Sequence, residues 1–277
     1  MTHNFTLTNN NIKLNILTHE IENPKAVLIH IHGLFQNFQN TDINENKSIF
    51  ENKIKILEKL NIVSYAIELR GHGLSQDVNI CNNTFDDYVS DIDTLVNHIK
   101  LIHPIIPIHI IGESMGGAVA IKYCLKYNNI KSIILLSPLI GVSPVISMGL
   151  NIMKNINISD PYFMFYINIL RTNIVKYNNY ISKYNDEDLF KAMKEFINIL
   201  DYIKNNSIQF STNIMAIHSK DDMLTNCNTT EIFINECKAD NKLFIPIEGD
   251  CHNLCGEIKT RDDVYKNICE WLNKFLN

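Results

Sequence analysis

Two periodicities alternate along this chain. Short aliphatic and β-branched runs, suited to strands, occur at residues 12–18, 26–31, 63–69, 105–111, 132–136, 214–218 and 243–247. The run at 26–31 is apolar except for His30, as expected of a strand covered on both faces. Between such runs, apolar positions recur every three or four residues. At 49–60, Ile54, Leu57 and Leu60 share one side of a predicted helix, with Lys and Glu opposite. A second helix begins at Thr84, where Asp87 supplies a variant of the capping box, and ends before Pro104. Its buried face would carry Val89, Ile92, Leu95, Val96 and Ile99. Further helical spacing covers 115–127 and 262–275, and residues 229–237 stand between the last two strand-like runs.

Strands alternating with helices predict an α/β fold, with a mostly parallel central sheet flanked by helices. The rhythm stops over 138–209, which reads as helices and loops rich in Ile, Met, Phe and Tyr, as in Pro161-Tyr162-Phe163-Met164-Phe165-Tyr166. The expected organisation is a core formed by 1–137 and 210–277, interrupted by one helical cap at 138–209, without internal repeats. A chain of 277 residues buries enough surface to be stable without disulfides.

Composition narrows the function classes. The net charge of −5 and the lack of a basic stripe argue against a nucleic-acid partner. Asn and Ile are abundant, and tracts such as Asn9-Asn10-Asn11 read as coding bias. The triplets Asn4-Phe5-Thr6 and Asn228-Thr229-Thr230 then arise by chance. Residues 1–15 are polar and lack the pattern of a secretory signal, and 138–153, the most apolar stretch, is broken by Gly, Ser and Pro. Seven scattered cysteines, an odd number, suggest no disulfide framework. A reducing, cytoplasmic setting is expected.

The strongest chemical signal is Gly112-Glu113-Ser114-Met115-Gly116-Gly117, which follows a strand and opens a helix. A serine on so tight a turn is held in a strained conformation, and glycines let neighbouring segments come close. Ser114 is thereby presented above the sheet as a nucleophile, beside the positive end of a helix dipole. His32-Gly33-Leu34 follows the strand at 26–31, in the place where such enzymes take one oxyanion-hole amide. The two amides would belong to Leu34 and Met115. An acid and a base should follow in that order. His218-Ser219-Lys220-Asp221-Asp222 ends one strand and Glu248-Gly249-Asp250-Cys251-His252 the next, which brings both to one sheet edge. His252 is the expected base, and spacing leaves Asp221 and Asp222 open as the acid. Cys251, His252 and Cys255 lack a fourth ligand and fit no standard zinc spacing, so neither metal nor cofactor is expected. Arg70-Gly71-His72-Gly73 reads as a tight turn that could line the site, and the aromatics at 162–166 as core or lipid-contacting.

The order of these motifs resembles the monoacylglycerol lipase and lysophospholipase-like branch of the α/β-hydrolase family, from about Ala26 to the C-terminus. His32-Gly33-Leu34 is similar to that family's His-Gly oxyanion segment. Glu68-Leu69-Arg70-Gly71-His72-Gly73-Leu74-Ser75 resembles its Asp-x-x-Gly-His-Gly-x-Ser turn, and Leu136-Ser137-Pro138 its strand end before the cap. Gly112 to Gly117 matches its Gly-His-Ser-Met-Gly-Gly elbow. Likeness of 218–224 to the His-Gly-x-x-Asp-x-x-Val pattern selects Asp222 as the acid, and 248–252 resembles the Glu-Gly-x-x-His segment. The resemblance implies a cap over an acyl pocket and hydrolysis of monoacylglycerol or lysophospholipid esters through Ser114, Asp222 and His252. The apolar character of the insertion at 138–209 suggests in addition a lid that touches a membrane surface transiently. Three departures bear on the substrate: Glu113 replaces the usual His, Ser219 replaces a Gly, and Leu34-Phe35-Gln36-Asn37 replaces Gly-Glu-His. Alternatives are a small-ester carboxylesterase, thioesterase or peptidase of the same fold, or a ligand-binding member without turnover.

Overall fold

Eight strands form one sheet in the order β1-β2-β4-β3-β5-β6-β7-β8. They are β1 (Thr2–Asn9), β2 (Ile12–His19), β3 (Ala26–Ile31), β4 (Ile62–Ile67), β5 (Ile108–Glu113), β6 (Ser132–Leu136), β7 (Asn213–Ser219) and β8 (Lys242–Ile247). The helices are α1 (Phe85–Ile102), α2 (Met115–Tyr127), α3 (Pro144–Met153), α4 (Asp186–Asn206), α5 (Cys227–Glu236) and α6 (Ile258–Asn273). This computed structural model describes residues 2–38, 54, 57–161, 184–256 and 258–276. β1 and β2 pair antiparallel, as do β2 and β4, while β4, β3, β5, β6, β7 and β8 run parallel.

The continuous apolar runs have a direct cause: alternate residues of each strand enter different cores. Val27, Ile29 and Ile31 of β3, Ile108 and Ile110 of β5, and Ile133 and Leu135 of β6 pack with α1 and α2. Ala26, Leu28, Ile111, Ile134 and Leu136 face the other way, onto Val264, Ile268, Trp271 and Leu272 of α6. Each such aliphatic side chain contributes about 1.5–3 kcal/mol on full burial. Trp271 is buried, and its indole N–H donates to Ser132 Oγ at 3.0 Å, so the large ring adds apolar area without an orphaned donor.

The predicted capping box on α1 forms. Asp87 N–H donates to Thr84 Oγ1 at 3.2 Å, and Thr84 N–H donates to Asp87 Oδ2 at 2.8 Å. The expected strand at 105–111 begins instead at Ile108, because Pro104 and Pro107 hold the preceding residues in an exposed loop, where Ile105 is 92% exposed. Of the helix expected at 49–60, only Ile54 and 57–60 lie among the described residues; Ile54 and Leu57 are buried there, and Glu58–Leu60 form a single 3₁₀ turn.

The N-terminus corrects the sequence reading. Thr2–Asn9 form a strand, and Asn10 and Asn11, with φ of 48° and 64°, make the two-residue turn into β2. That is the type I′ geometry that favours Asn, because its twist matches that of the flanking strands. At least this part of the Asn9-Asn10-Asn11 tract has a structural task beyond composition.

Within 138–209 the described residues include α3 and α4 and no strand; Tyr162 to Tyr166 lie outside the described residues. α4 carries its own capping box, Asn185 with Asp188. Its first half sets Met193 and Ile197 against Leu150 and Met153 of α3. Its second half sets Ile199 and Ile203 into the core shared with α1 and α2. β8 is the outermost strand on its side, paired only with β7 among the described strands, and contains Pro246.

Candidate active site

Ser114 stands between β5 and α2 at φ 51° and ψ −115°, a conformation that costs a side-chain-bearing residue about 1–3 kcal/mol. Main-chain bonds impose it: Ser114 N–H donates to Leu136 O at 3.0 Å, and Ser114 O accepts from Leu139 N–H at 2.9 Å and Gly117 N–H at 3.0 Å. Close approach explains two of the glycines. A Cβ on Gly112 would lie 2.5 Å from Gly116 O, and one on Gly116 would lie 2.4 Å from Ile31 O. The elbow therefore sits directly on the end of β3, where the His32-Gly33-Leu34 loop begins.

That loop is fixed on both sides of one peptide. Leu69 N–H donates to His32 Nε2 at 3.1 Å, so the imidazole proton resides on Nδ1 and is donated to Gly33 O at 2.7 Å. Gly33 N–H donates to Gln36 Oε1 at 3.0 Å. Because the peptide is trans, pinning Gly33 O turns Leu34 N–H the opposite way. Among the described residues neither the Leu34 nor the Met115 amide donates a hydrogen bond. A Cβ built on Gly33 would lie 3.2 Å from Ser114 Cβ, which brings this loop against the serine.

The neighbouring turn is structural. Glu68 accepts from Leu74 N–H at 2.7 Å and from Asn15 Nδ2 at 3.0 Å. Arg70 gives two bonds to buried Asp91, Nε to Oδ2 at 2.8 Å and Nη2 to Oδ1 at 2.6 Å. The Arg70 side chain is thus committed to α1. His72 packs 5.0 Å from His32, centroid to centroid, and burial pulls its imidazole below the ordinary histidine value. Glu113 shares the strand face of Ile111, which packs toward α6. Burial raises the Tyr265 phenol on that helix, and the charges of Cys255 and Glu113 add to the effect.

The structure places Asp222 and His252 together: His252 Nδ1 donates to Asp222 Oδ2 at 2.8 Å. Asp221, the other aspartate, is exposed. Asp222 Oδ1 accepts from Leu224 N–H at 2.8 Å and from Thr225 N–H at 3.1 Å, and Oδ2 accepts from Thr225 Oγ1 at 2.9 Å. His218 Nε2 lies 3.3 Å from the same Oδ2. Burial disfavours the charged carboxylate, but bonds from His218, His252 and Leu224 outweigh it and hold Asp222 far below the usual carboxylate range. The acid loop is itself stitched to the chain before α3, through Ser143 N–H to Leu224 O at 3.0 Å and Asn226 N–H to Gly141 O at 3.1 Å. Among the described residues Asp222 and His252 are hydrogen-bonded to each other, and no hydrogen bond joins His252 to Ser114. Such bonds often tighten only with substrate present. His218 and Thr225 were not singled out for these roles from the sequence. They lie three and four residues from Asp222, but their bonds to it follow no helix or strand spacing that the sequence could show. A surface hollow of about 510 Å³ beside Pro246 and Lys266 includes none of these residues.

Comparison with known proteins agrees with this architecture. A profile of the family described as serine aminopeptidase, S33, matches residues 22–259. Monoglyceride lipase of Rattus norvegicus is 28% identical over 122 residues, 44% of this chain and 37% of that enzyme. The match thus spans little more than a third of that relative. Phospholipase YtpA of Bacillus subtilis (strain 168) is 21% identical over 273 residues, 94% of this chain and 99% of the relative. Among solved structures, a soluble variant of monoglyceride lipase from Saccharomyces cerevisiae in complex with a substrate analog gives a TM-score of 0.71 at 16% identity. That comparison covers 99% of this chain and 96% of the other, and it shows the α/β-hydrolase fold.

Proposed function

The chain belongs to the serine aminopeptidase S33 family, with an α/β-hydrolase fold, and from that premise we propose that it hydrolyses carboxylic esters of lipids, of the monoacylglycerol or lysophospholipid type. The observation that carries this reading is the 2.8 Å Asp222–His252 bond at the same sheet edge as the strained Ser114 elbow. In this reading His252 Nε2 takes the Ser114 proton as Oγ attacks the ester carbonyl. Leu34 and Met115 amides then hold the oxyanion, and His252 returns the proton to the departing alcohol. Water, activated by the same imidazole, releases the fatty acid from the acyl-enzyme and restores Ser114. Asp222 keeps its charge throughout and stabilises the imidazolium.

Lipid specificity is supported by what adjoins the acid loop. In α3, Met148 and Ile152 are 67% and 45% exposed, and in the acid loop Met223 and Leu224 are 70% and 45% exposed. An acyl chain needs such an apolar cover in water. We assign the cap to 138–209, the hydrolase core to 1–137 and 210–277, and a transient lipid-surface contact to this apolar rim. No described helix is long and apolar enough to cross a membrane.

The test is hydrolysis of p-nitrophenyl esters of graded chain length, with a fluorophosphonate as covalent label. Wild type should cleave and label, with a preference for medium or long chains, while Ser114→Ala should do neither. A preference for acetate would replace the lipid reading with a small-ester esterase. Folded wild type that neither cleaves nor labels would leave a ligand-binding protein.

A further inference from the structure

Building on the ester-hydrolase reading, we propose that His218 and Thr225 are positioning residues. A second imidazole and a hydroxyl hold the Asp222 carboxylate in plane with His252 and thereby set the lower pH bound of catalysis.

The argument begins with the donors. Asp222 is ionised, so it can only accept, and His252 Nδ1 at 2.8 Å must donate to it. The single Thr225 hydroxyl proton goes to Asp222 Oδ2 at 2.9 Å, in preference to the neutral Ser137 O at 3.3 Å. Thr225 Oγ1 is then free to accept, and His218 Nε2 lies 3.1 Å from it and 3.3 Å from Asp222 Oδ2. A lone pair on Nε2 would face a carboxylate oxygen in a wholly buried space, so Nε2 carries a proton. At the other side of the ring, His218 Nδ1 and Thr230 Oγ1 are 2.9 Å apart. The chain of bonds runs from α5 through β7 to the acid and ends at the base.

Two effects follow. The carboxylate cannot rotate, so the single bond that aligns His252 is aligned in turn. Its charge is also shared among several donors, so it attracts the imidazolium of His252 less strongly than a bare carboxylate would. Losing the His218 donor should therefore make His252 hold its proton to higher pH. The titratable groups facing Asp222 are His218 from β7, His252 from the loop after β8, and Cys227 from α5. Burial first, then the Glu231 and Asp222 charges, pushes the Cys227 thiol up, so it stays uncharged through the working range. Ser137, just after β6, offers a neutral carbonyl. Lys220 and Asp221, beside the acid in sequence, are exposed, where solvent screens them.

The experiment compares pH profiles of kcat/KM on a p-nitrophenyl ester for wild type, His218→Leu, His218→Gln and Thr225→Val. His218→Leu should move the acid limb up by about one pH unit, a roughly tenfold loss below it. Above the limb, kcat should fall only several-fold, because the freed carboxylate aligns His252 less well, and KM should not change. His218→Gln, which keeps a donor near Nε2, should return most of the shift, and Thr225→Val should move the limb in the same direction as His218→Leu. A uniform loss at every pH, an unmoved limb, or a Gln variant no closer to wild type than Leu would overturn the proposal. If His218→Leu does not fold, the Thr225→Val profile and wild-type ¹⁵N-histidine NMR carry the test. The spectra should show His218 protonated at Nε2, and an Nδ1–H tautomer would refute it. Wild type with neither turnover nor fluorophosphonate labelling would fail the hydrolase reading instead, with the NMR result standing apart from it.

Discussion

The two halves of the site are built from different materials. Around Ser114, main-chain bonds and missing Cβ atoms do most of the work: Gly116 lies against Ile31 O, and Ser114 is pinned to Leu136 and Leu139. Around His252, side chains do it: Asp222, Thr225 and His218 form a buried polar network on one carboxylate. A main-chain device is insensitive to pH and intolerant of bulk. A side-chain network tolerates small changes in volume but responds to charge and tautomer. Under the proposed mechanism the Ser114 elbow should therefore fail by steric insult, and the Asp222–His252 side by loss of charge.

Ser114→Ala sets the scale for both halves, with an expected loss of kcat of roughly 10⁴- to 10⁶-fold and no labelling, read with a long-chain ester. Asp222→Asn attacks the side-chain half. It should cost roughly 10⁴-fold at neutral pH, because an amide stabilises neither the needed tautomer nor the imidazolium. Gly116→Ala attacks the main-chain half. The new methyl forces the end of β3 away, displacing the amides, for a loss of roughly 10²-fold that is the same at every pH. Overpacking of about 1–3 kcal/mol should also lower Tm by several degrees. Equal pH profiles for Asp222→Asn and wild type, or a pH-dependent Gly116→Ala, would break the contrast.

The smallest effect is on folding. The folded Asp222 carboxyl lies below its ordinary value of 3.8, so its contribution to stability is complete above that value and is lost as pH falls toward the folded one. Wild type should thus exceed Asp222→Asn in denaturant midpoint at pH 6–7 by a constant margin. The margin should shrink below about pH 4, and a margin that grew on acidification would contradict the assigned direction.

The same contrast decides what could be read from the sequence. The Ser114 elbow was legible because strand, glycines and helix are contiguous, and the capping box on α1 because its two partners are three residues apart. Core strands β3 and β6 were legible because burial on both faces leaves an unbroken apolar run. β1 was not: it is an edge strand, largely exposed, written in Thr and Asn, and its turn needed φ values that the letters Asn-Asn allow but do not demand. The choice between Asp221 and Asp222 needed the family resemblance, since adjacent residues point apart and spacing cannot say which points inward. The roles of Thr225 and His218 escaped, because the bonds they make to Asp222, three and four residues away, depend on how the loop after β7 folds back and follow no helix or strand period.

One further consequence lies at the sheet's outer rim. A proline carries no N–H, so at Pro246, next to the end of β8, the exposed backbone offers an incoming strand an interrupted ladder. Lys242 opens the same strand, and Glu248, held by Lys220, follows its end. A neighbouring molecule attempting to zip onto this rim would meet charge at both ends and a missing donor near the second. Lateral growth of the sheet is discouraged there.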